Sequence, residues 1–377
     1  MRRFLALAGV LALAAVMSPL AAQAADHDGD GDGSVIIPEC TGETPIVCHA
    51  DVPPGNYDVT VVLGDAGEPG LTAVRAEARR MMLGEVSTAP GRFVRRSFSV
   101  NVREPEGEPT KTTSGTPGLT LTFTGASPRV QRVTVRPQRH ARPVLYLAGD
   151  STVCDQDTFP YTGWGQAIPQ HLPSWLTVAN YADSGESSGS FLADPRLFAT
   201  MLPLVAPGDV VVLQFGHNDK TTTAEDYRAN LTRLVTGVRG RQARPVLISP
   251  PVRRLFDSTG VLTPTARHVN GLGVDLPAEM SAVAAALDVP YIDLTADSAA
   301  LVEALGPEES KPLYLYDELR DNTHFSESGA DRFGGLVLER LIPVLHDVDD
   351  RAVGRADEES PDTPLLGGEG MHDLVPE

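Results

Sequence analysis

The 377-residue chain is 41% hydrophobic and 21% charged, which excludes a disordered chain and supplies a core for about two domains. Its 35 glycines and 31 prolines follow no three-residue period, which excludes a collagen-like rod. With 31 Lys+Arg against 50 Asp+Glu the net charge is −19, a field that repels phosphate backbones, so no nucleic-acid partner is expected.

Arg2 and Arg3 precede an apolar run, Phe4 to Met17, and Ala22-Gln23-Ala24 places small residues before a cleavage point. This order predicts a signal peptide over 1–24 and a secreted protein, extracellular or periplasmic, with no membrane contact after cleavage. The run falls short of the roughly 20 apolar residues that a bilayer span needs. Asp26 to Gly33 alternates Asp with Gly, but the acid that a calcium loop requires six residues after its glycine is replaced by Val35 or Ile37. Residues 25–34 are therefore read as a solvated acidic leader. Cys40 and Cys48 flank Pro45, and either a loop-closing disulfide or two free thiols fits them. Cys154 is read as a small buried hydrophobe.

Residues 35–137 read as a smaller all-β sandwich domain. Strands are predicted at Tyr57–Leu63, Phe93–Val102 (with Phe98, Val100 and Val102 on one face), Leu119–Thr124 and Val130–Val135. The polar stretch Pro105–Pro117 is expected to be a long loop, and 138–143 a linker. From 144 to 345 the texture changes. Apolar runs at Val144–Ala148, Leu176–Tyr181, Val210–Leu213, Val246–Ile248 and Val289–Leu294 alternate with helical patterns at Ala224–Arg239, Pro277–Leu287 and Ser328–Leu345. Strands apolar on both sides, alternating with helices, predict a three-layer α/β domain: a parallel sheet with helices on both faces. Ligands bind at the carboxyl ends of such strands. The tail, 346–377, is acid-rich and expected to be disordered.

Four polar blocks fall where such a fold places its site. Gly149-Asp150-Ser151-Thr152 follows the first of these strands and holds a serine on backbone. Ser184-Gly185-Glu186 follows the second, where glycine lets a backbone N–H approach a reacting carbonyl. Gly216-His217-Asn218-Asp219 follows the third, and an Asn carboxamide donates to an oxyanion without titrating. Asp321-Asn322-Thr323-His324 precedes the last helix and pairs a base with an acceptor that fixes its tautomer. Singly, each block is an ordinary cap or turn.

In this order the four blocks resemble the SGNH (GDSL-type) hydrolases. The strings GDST (149–152), TGWGQ (162–166), SGESSGSF (184–191), QFGHND (214–219) and DNTHFSESGA (321–330) look like the rhamnogalacturonan acetylesterases. The preceding domain is similar to a galactose-binding-like sandwich. The resemblance implies a nucleophile at Ser151, a general base at His324 oriented by Asp321, and an oxyanion hole made by the N–H of Ser151, the N–H of Gly185 and the amide of Asn218. Trp164 is a candidate pocket wall, His268 a candidate substrate contact, and His217 and Asp219 loop supports. One departure is Glu186, where many relatives carry Arg after the glycine. The expected activity is removal of O-acetyl groups from a pectic polysaccharide, by a monomer that needs no metal and no cofactor. Alternatives are an esterase on xylan or another acetylated sugar, a lipase or thioesterase of the same fold, and a non-catalytic carbohydrate binder. The catalytic block from about Arg142 onward is expected to work without the preceding domain.

Overall fold

Alternating burial shapes the N-terminal half, which pairs into antiparallel sheets because each strand has one apolar face to hide. The computed structural model describes residues 35–111, 115–138 and 142–359, with side chains as far as Leu345. The expected signal peptide and leader, and residues 360–377 of the expected tail, lie outside the described residues.

The strands of this half are β1 (Glu39–Thr41), β2 (Ile46–Ala50), β3 (Gly55–Leu63), β4 (Gly70–Ala76), β5 (Arg80–Thr88), β6 (Val94–Val102), β7 (Leu119–Ser127) and β8 (Val130–Pro137). They form a five-stranded sheet, β1-β2-β7-β4-β5, and a three-stranded sheet, β6-β3-β8. Both contribute to one apolar cluster: Val59, Val61, Phe98 and Val100 from the smaller sheet, and Val74, Leu121 and Phe123 from the larger. Phe98, Val100 and Val102 share the buried face, as their spacing predicts. Cys40 and Cys48 are cross-strand partners in β1 and β2 and are joined by a disulfide.

The second half is a parallel sheet of β9 (Val144–Ala148), β10 (Thr177–Asn180), β11 (Val210–Leu213), β12 (Arg244–Ile248) and β13 (Tyr291–Ile292), in the order β10-β9-β11-β12-β13. Successive side chains of β9 enter opposite cores. Leu145 and Leu147 pack with Trp164, Phe325 and Phe333, whereas Val144, Tyr146 and Ala148 pack with Phe191, Phe215 and Tyr227. The helices are α1 (Trp164–Ala167), α2 (Ser188–Ala193), α3 (Phe198–Met201), α4 (Ala224–Gly240), α5 (Leu276–Leu287), α6 (Leu294–Glu309, broken at Gly306), α7 (Tyr316–Leu319) and α8 (Glu327–Glu359). Helix α8 continues past the expected end at Leu345, so backbone 346–359 is helical rather than a disordered tail. The stretch 346–359 holds no proline, and its one glycine, Gly354, is an isolated residue that a helix tolerates. No helix among the described residues is long and apolar enough to cross a membrane.

Chain order and sheet order diverge at β9, which lies between β10 and β11. Such a switch point opens a crevice at the carboxyl ends of the strands. The blocks at 149–152, 184–186 and 216–219 leave these three neighbouring strands and meet there.

The two halves are locked together by charge. Arg80 of β5 is 1% exposed and donates from Nε (3.0 Å) and Nη2 (2.7 Å) to Oδ2 of Asp155, which is fully buried just beyond the nucleophile block. Nearer the surface, Glu327 at the start of α8 receives Arg75 (2.5 and 2.8 Å) and Arg79 (2.8 Å).

Candidate active site

Ser151 leaves β9 in a tight turn. Val153 N–H (2.9 Å) and Cys154 N–H (3.1 Å) donate to Asp150 O, and Oδ1 of Asp150 accepts the Thr152 N–H (2.9 Å) and hydroxyl (2.7 Å). Gly149 permits the close approach: a Cβ there would lie 2.9 Å from the Gln214 carbonyl oxygen and 2.7 Å from Val153. Burial opposes the charge on Asp150, but His217 and the Thr152 donors outweigh it and hold its pKa below the ordinary carboxylate value.

Ser151 Oγ lies 2.9 Å from His324 Nε2, and His324 Nδ1 lies 2.7 Å from Asp321 Oδ2. The other oxygen of Asp321 accepts the backbone N–H groups of Thr323 (2.7 Å) and His324 (3.0 Å). Desolvation raises the Asp321 pKa, but the bonds from His324 and Thr323 prevail and bring it down to about 2. The carboxylate thus stays charged and accepts the imidazole N–H, leaving Nε2 free to take a proton from Ser151. The His324 loop is pinned by Leu315 N–H on the His324 carbonyl (3.0 Å) and by Arg254 N–H on the Asn322 carbonyl (2.8 Å). Arg253 bonds Thr323 Oγ1 (2.6 Å) and the His217 carbonyl (2.8 Å), tying this loop to the third block. Tyr161 packs edge-on against His324, with centroids 5.3 Å apart.

Gly185 has φ +86°, a left-handed backbone that glycine adopts without strain. Asn218 Nδ2 donates to the Glu186 carbonyl at 3.2 Å, so the second and third blocks hold each other. Asp219 accepts the N–H and hydroxyl of Ser188 (3.1 and 2.7 Å), the loop-supporting contact expected of it. His217 lies 3.3 Å from Asp150 and edge-on to His268, and burial lowers its pKa.

Two expected substrate residues are placed elsewhere. Trp164 is fully buried in the core and its indole N–H bonds Gln214 Oε1 at 2.7 Å, so it is not a pocket wall. A buried indole needs one acceptor, and Gln214 supplies it. His268 is 4% exposed, with its Nε2 2.7 Å from the Pro251 carbonyl oxygen and its pKa held well below the usual value by burial. It backs the wall of a cavity of about 360 Å³ behind the third block, where Lys220, Arg253 and Asn270 also lie, and its ring is committed to Pro251. Cys154 is buried beside the nucleophile turn, and burial pushes its thiol well above the usual range, as fits a small hydrophobe.

The N-terminal half also reaches this site, which the sequence did not reveal. Glu108 Oε1 accepts the Ser184 N–H (2.8 Å), and Thr110 donates from N and Oγ1 to Asp183 (2.7 and 2.8 Å). Arg79 donates to the carbonyls of Gln156 (3.2 Å) and Tyr161 (2.9 Å). These contacts run between the expected β-domain and the expected catalytic block from about Arg142 onward. No local signal marks them, because Glu108 and Ser184 are 76 residues apart in the chain.

Residues 147–332 match the GDSL-like lipase/acylhydrolase family. The chain is similar to the rhamnogalacturonan acetylesterase RhgT of Bacillus subtilis, with 37% identity over 231 residues, 57% of this chain and 96% of that protein. It is also similar to a rhamnogalacturonan acetylesterase of Emericella nidulans, with 29% identity over 214 residues, 50% of this chain and 82% of that one. The crystal structure of the Bacillus subtilis protein YXIM superposes with a TM-score of 0.50 at 24% identity, covering 79% of this chain and 80% of that one, a likeness of fold.

Proposed function

This chain belongs to the GDSL-like lipase/acylhydrolase family and is a carboxylic ester hydrolase, and from that premise we propose that it removes O-acetyl groups from a rhamnogalacturonan-type pectic polysaccharide. The observation that carries the reading is the continuous relay Ser151–His324–Asp321, at 2.9 and 2.7 Å. In the proposed reaction Ser151 Oγ attacks the acetyl carbonyl while His324 Nε2 takes its proton. The resulting oxyanion is met by the N–H groups of Ser151 and Gly185 and by the Asn218 amide. His324 then gives this proton to the departing sugar oxygen, which leaves the acetyl group on Ser151 Oγ, and a water deprotonated by the same imidazole attacks that ester and releases acetate. Asp321 holds the tautomer and stabilises the imidazolium that forms between these steps.

A working relay argues against a purely carbohydrate-binding role. The two antiparallel sheets around one core support the galactose-binding-like sandwich reading of residues 35–137. Arg2, Arg3 and the apolar run to Met17 support export, and we read the exported enzyme as a monomer.

The substrate is tested by measuring acetate released from acetylated rhamnogalacturonan and from acetylated xylan under matched conditions. The reading expects a kcat/KM at least about tenfold higher on the pectic substrate, about 1.4 kcal/mol of transition-state discrimination. Equal rates, or a preference for xylan, would overturn the substrate assignment and leave the hydrolase chemistry standing.

A further inference from the structure

The segment 103–111 is a connection with no regular structure, yet Arg103 and its middle, 106–109, are buried. Arg103 is 7% exposed, Glu106 7% and Glu108 1%. Connections ordinarily run over the surface, where water satisfies their backbone, so a buried polar one is held for a reason. Arg103 closes its base by bonding the Gly107 carbonyl and lies 4.8 Å over the ring of Tyr181. From there the segment passes beneath the second block.

Glu108 is the centre of the contact. A carboxylate this buried is costly unless charge and donors meet it. Lys111 pairs with one oxygen, and the Ser184 N–H donates to the other at 2.8 Å. Two residues on, Thr110 grips the Asp183 carboxylate through its N–H and hydroxyl. Asp183 itself donates its backbone N–H to the Gly149 carbonyl at 3.1 Å, so this grip also bears on the nucleophile block. Gly185, by contrast, has open space around it: a Cβ built there would meet nothing within 4 Å. That side of the residue adds no packing. The Gly185 N–H belongs to the Ser184–Gly185 peptide, which is held on one side by Glu108 at the Ser184 N–H and on the other by Asn218 at the Glu186 carbonyl.

We propose that Glu108 is a positioning residue for the oxyanion hole, acting through the Ser184 amide to fix the Gly185 N–H. The N-terminal half thereby supplies part of the catalytic geometry. This rests on the Ser151 reading above.

The test is hydrolysis of 4-nitrophenyl acetate by the full chain, well below its unfolding temperature. The expected result for Glu108→Ala is a kcat lower by about one order of magnitude with KM unchanged, less than the roughly 10²–10³ lost with a whole oxyanion donor. Glu108→Gln keeps an acceptor for the Ser184 N–H and should recover kcat to within a few-fold. Arg75→Ala loosens the same interface at Glu327, away from the turn, and should lower the melting temperature while leaving kcat unchanged. If Glu108→Ala does not fold, Thr110→Val takes its place, with a smaller fall in kcat expected. Full kcat in folded Glu108→Ala or Thr110→Val overturns the role, as does an equal loss in Arg75→Ala. Ser151→Ala is measured alongside: an inactive Ser151→Ala with a fully active Glu108→Ala overturns the positioning role alone, whereas an active Ser151→Ala overturns the site and this role with it.

Discussion

Asn218 separates a catalytic amide from a turn-forming one. Its Nδ2 spends one hydrogen on the Glu186 carbonyl at 3.2 Å, which fixes the carboxamide plane and leaves a second N–H to donate. An N–H held in place ahead of the reaction helps the transition state more than the ground state. Asn218→Ala is expected to lower kcat by about 10²–10³ with little change in KM, and Asn218→Asp to do at least as much harm by repelling the oxyanion. Melting temperature and single-turnover acetate release on one sample check this, and near-normal turnover from a folded Asn218→Ala would remove it from the site. At this scale the sequence was most legible where a short block carries its own chemistry. Ser151, Gly185, Asn218, Asp321 and His324 each stand in such a block; hydrogen bonds join Ser151, His324 and Asp321, and Asn218 bonds the residue after Gly185. Trp164 and His268 do not, because what commits them, Gln214 and the Pro251 carbonyl, lies 50 and 17 residues away in sequence.

Among the elements, strands buried on both faces were read best: β9 and β11 have the bounds that their apolar runs predict. Strands β4 and β5 were not read. Their pairing is interrupted by register shifts, and β5 begins with an arginine that the fold buries against Asp155. Helix α6 was missed as well, since its small residues give little amphipathic contrast. Glu77 lies in the connection between β4 and β5 and accepts the Thr120 N–H at 3.0 Å. Burial, with Glu106 nearby, pushes its pKa up to about 8. The folded chain therefore holds a proton that the unfolded chain has released between the ordinary glutamate value of 4.5 and about 8. Across that window Glu77 costs stability as pH rises, and the cost is complete above it. Glu77→Gln keeps an acceptor for Thr120 and removes the charge. It should raise the melting temperature at pH 9 and change it little at pH 4. Equal shifts at both pH values would contradict this titration.

For the whole molecule, the texture change near residue 143 marked a real boundary between antiparallel and parallel sheets, and side-chain contacts cross it. The contacts that join the halves, Arg80 with Asp155 and Glu108 with Ser184, span 75 and 76 residues, and a reading of local pattern has no access to such pairs. Removing Arg80 would take two donors from a fully buried carboxylate just beyond the nucleophile block and leave it Asn180 Nδ2 at 2.8 Å and Arg103 at 3.9 Å, a costly way to break an ion pair. All of this architecture converges on one atom, the Oγ of Ser151, 2.9 Å from its base. The most direct test is to titrate the enzyme with a fluorophosphonate ester, following the rate of acetyl-ester hydrolysis and mapping the adduct by mass spectrometry. The account predicts one adduct per chain, on Ser151, with activity lost in proportion, and a folded Ser151→Ala that is neither labelled nor active. Undiminished hydrolysis by an enzyme fully modified at Ser151, or by Ser151→Ala, would contradict it.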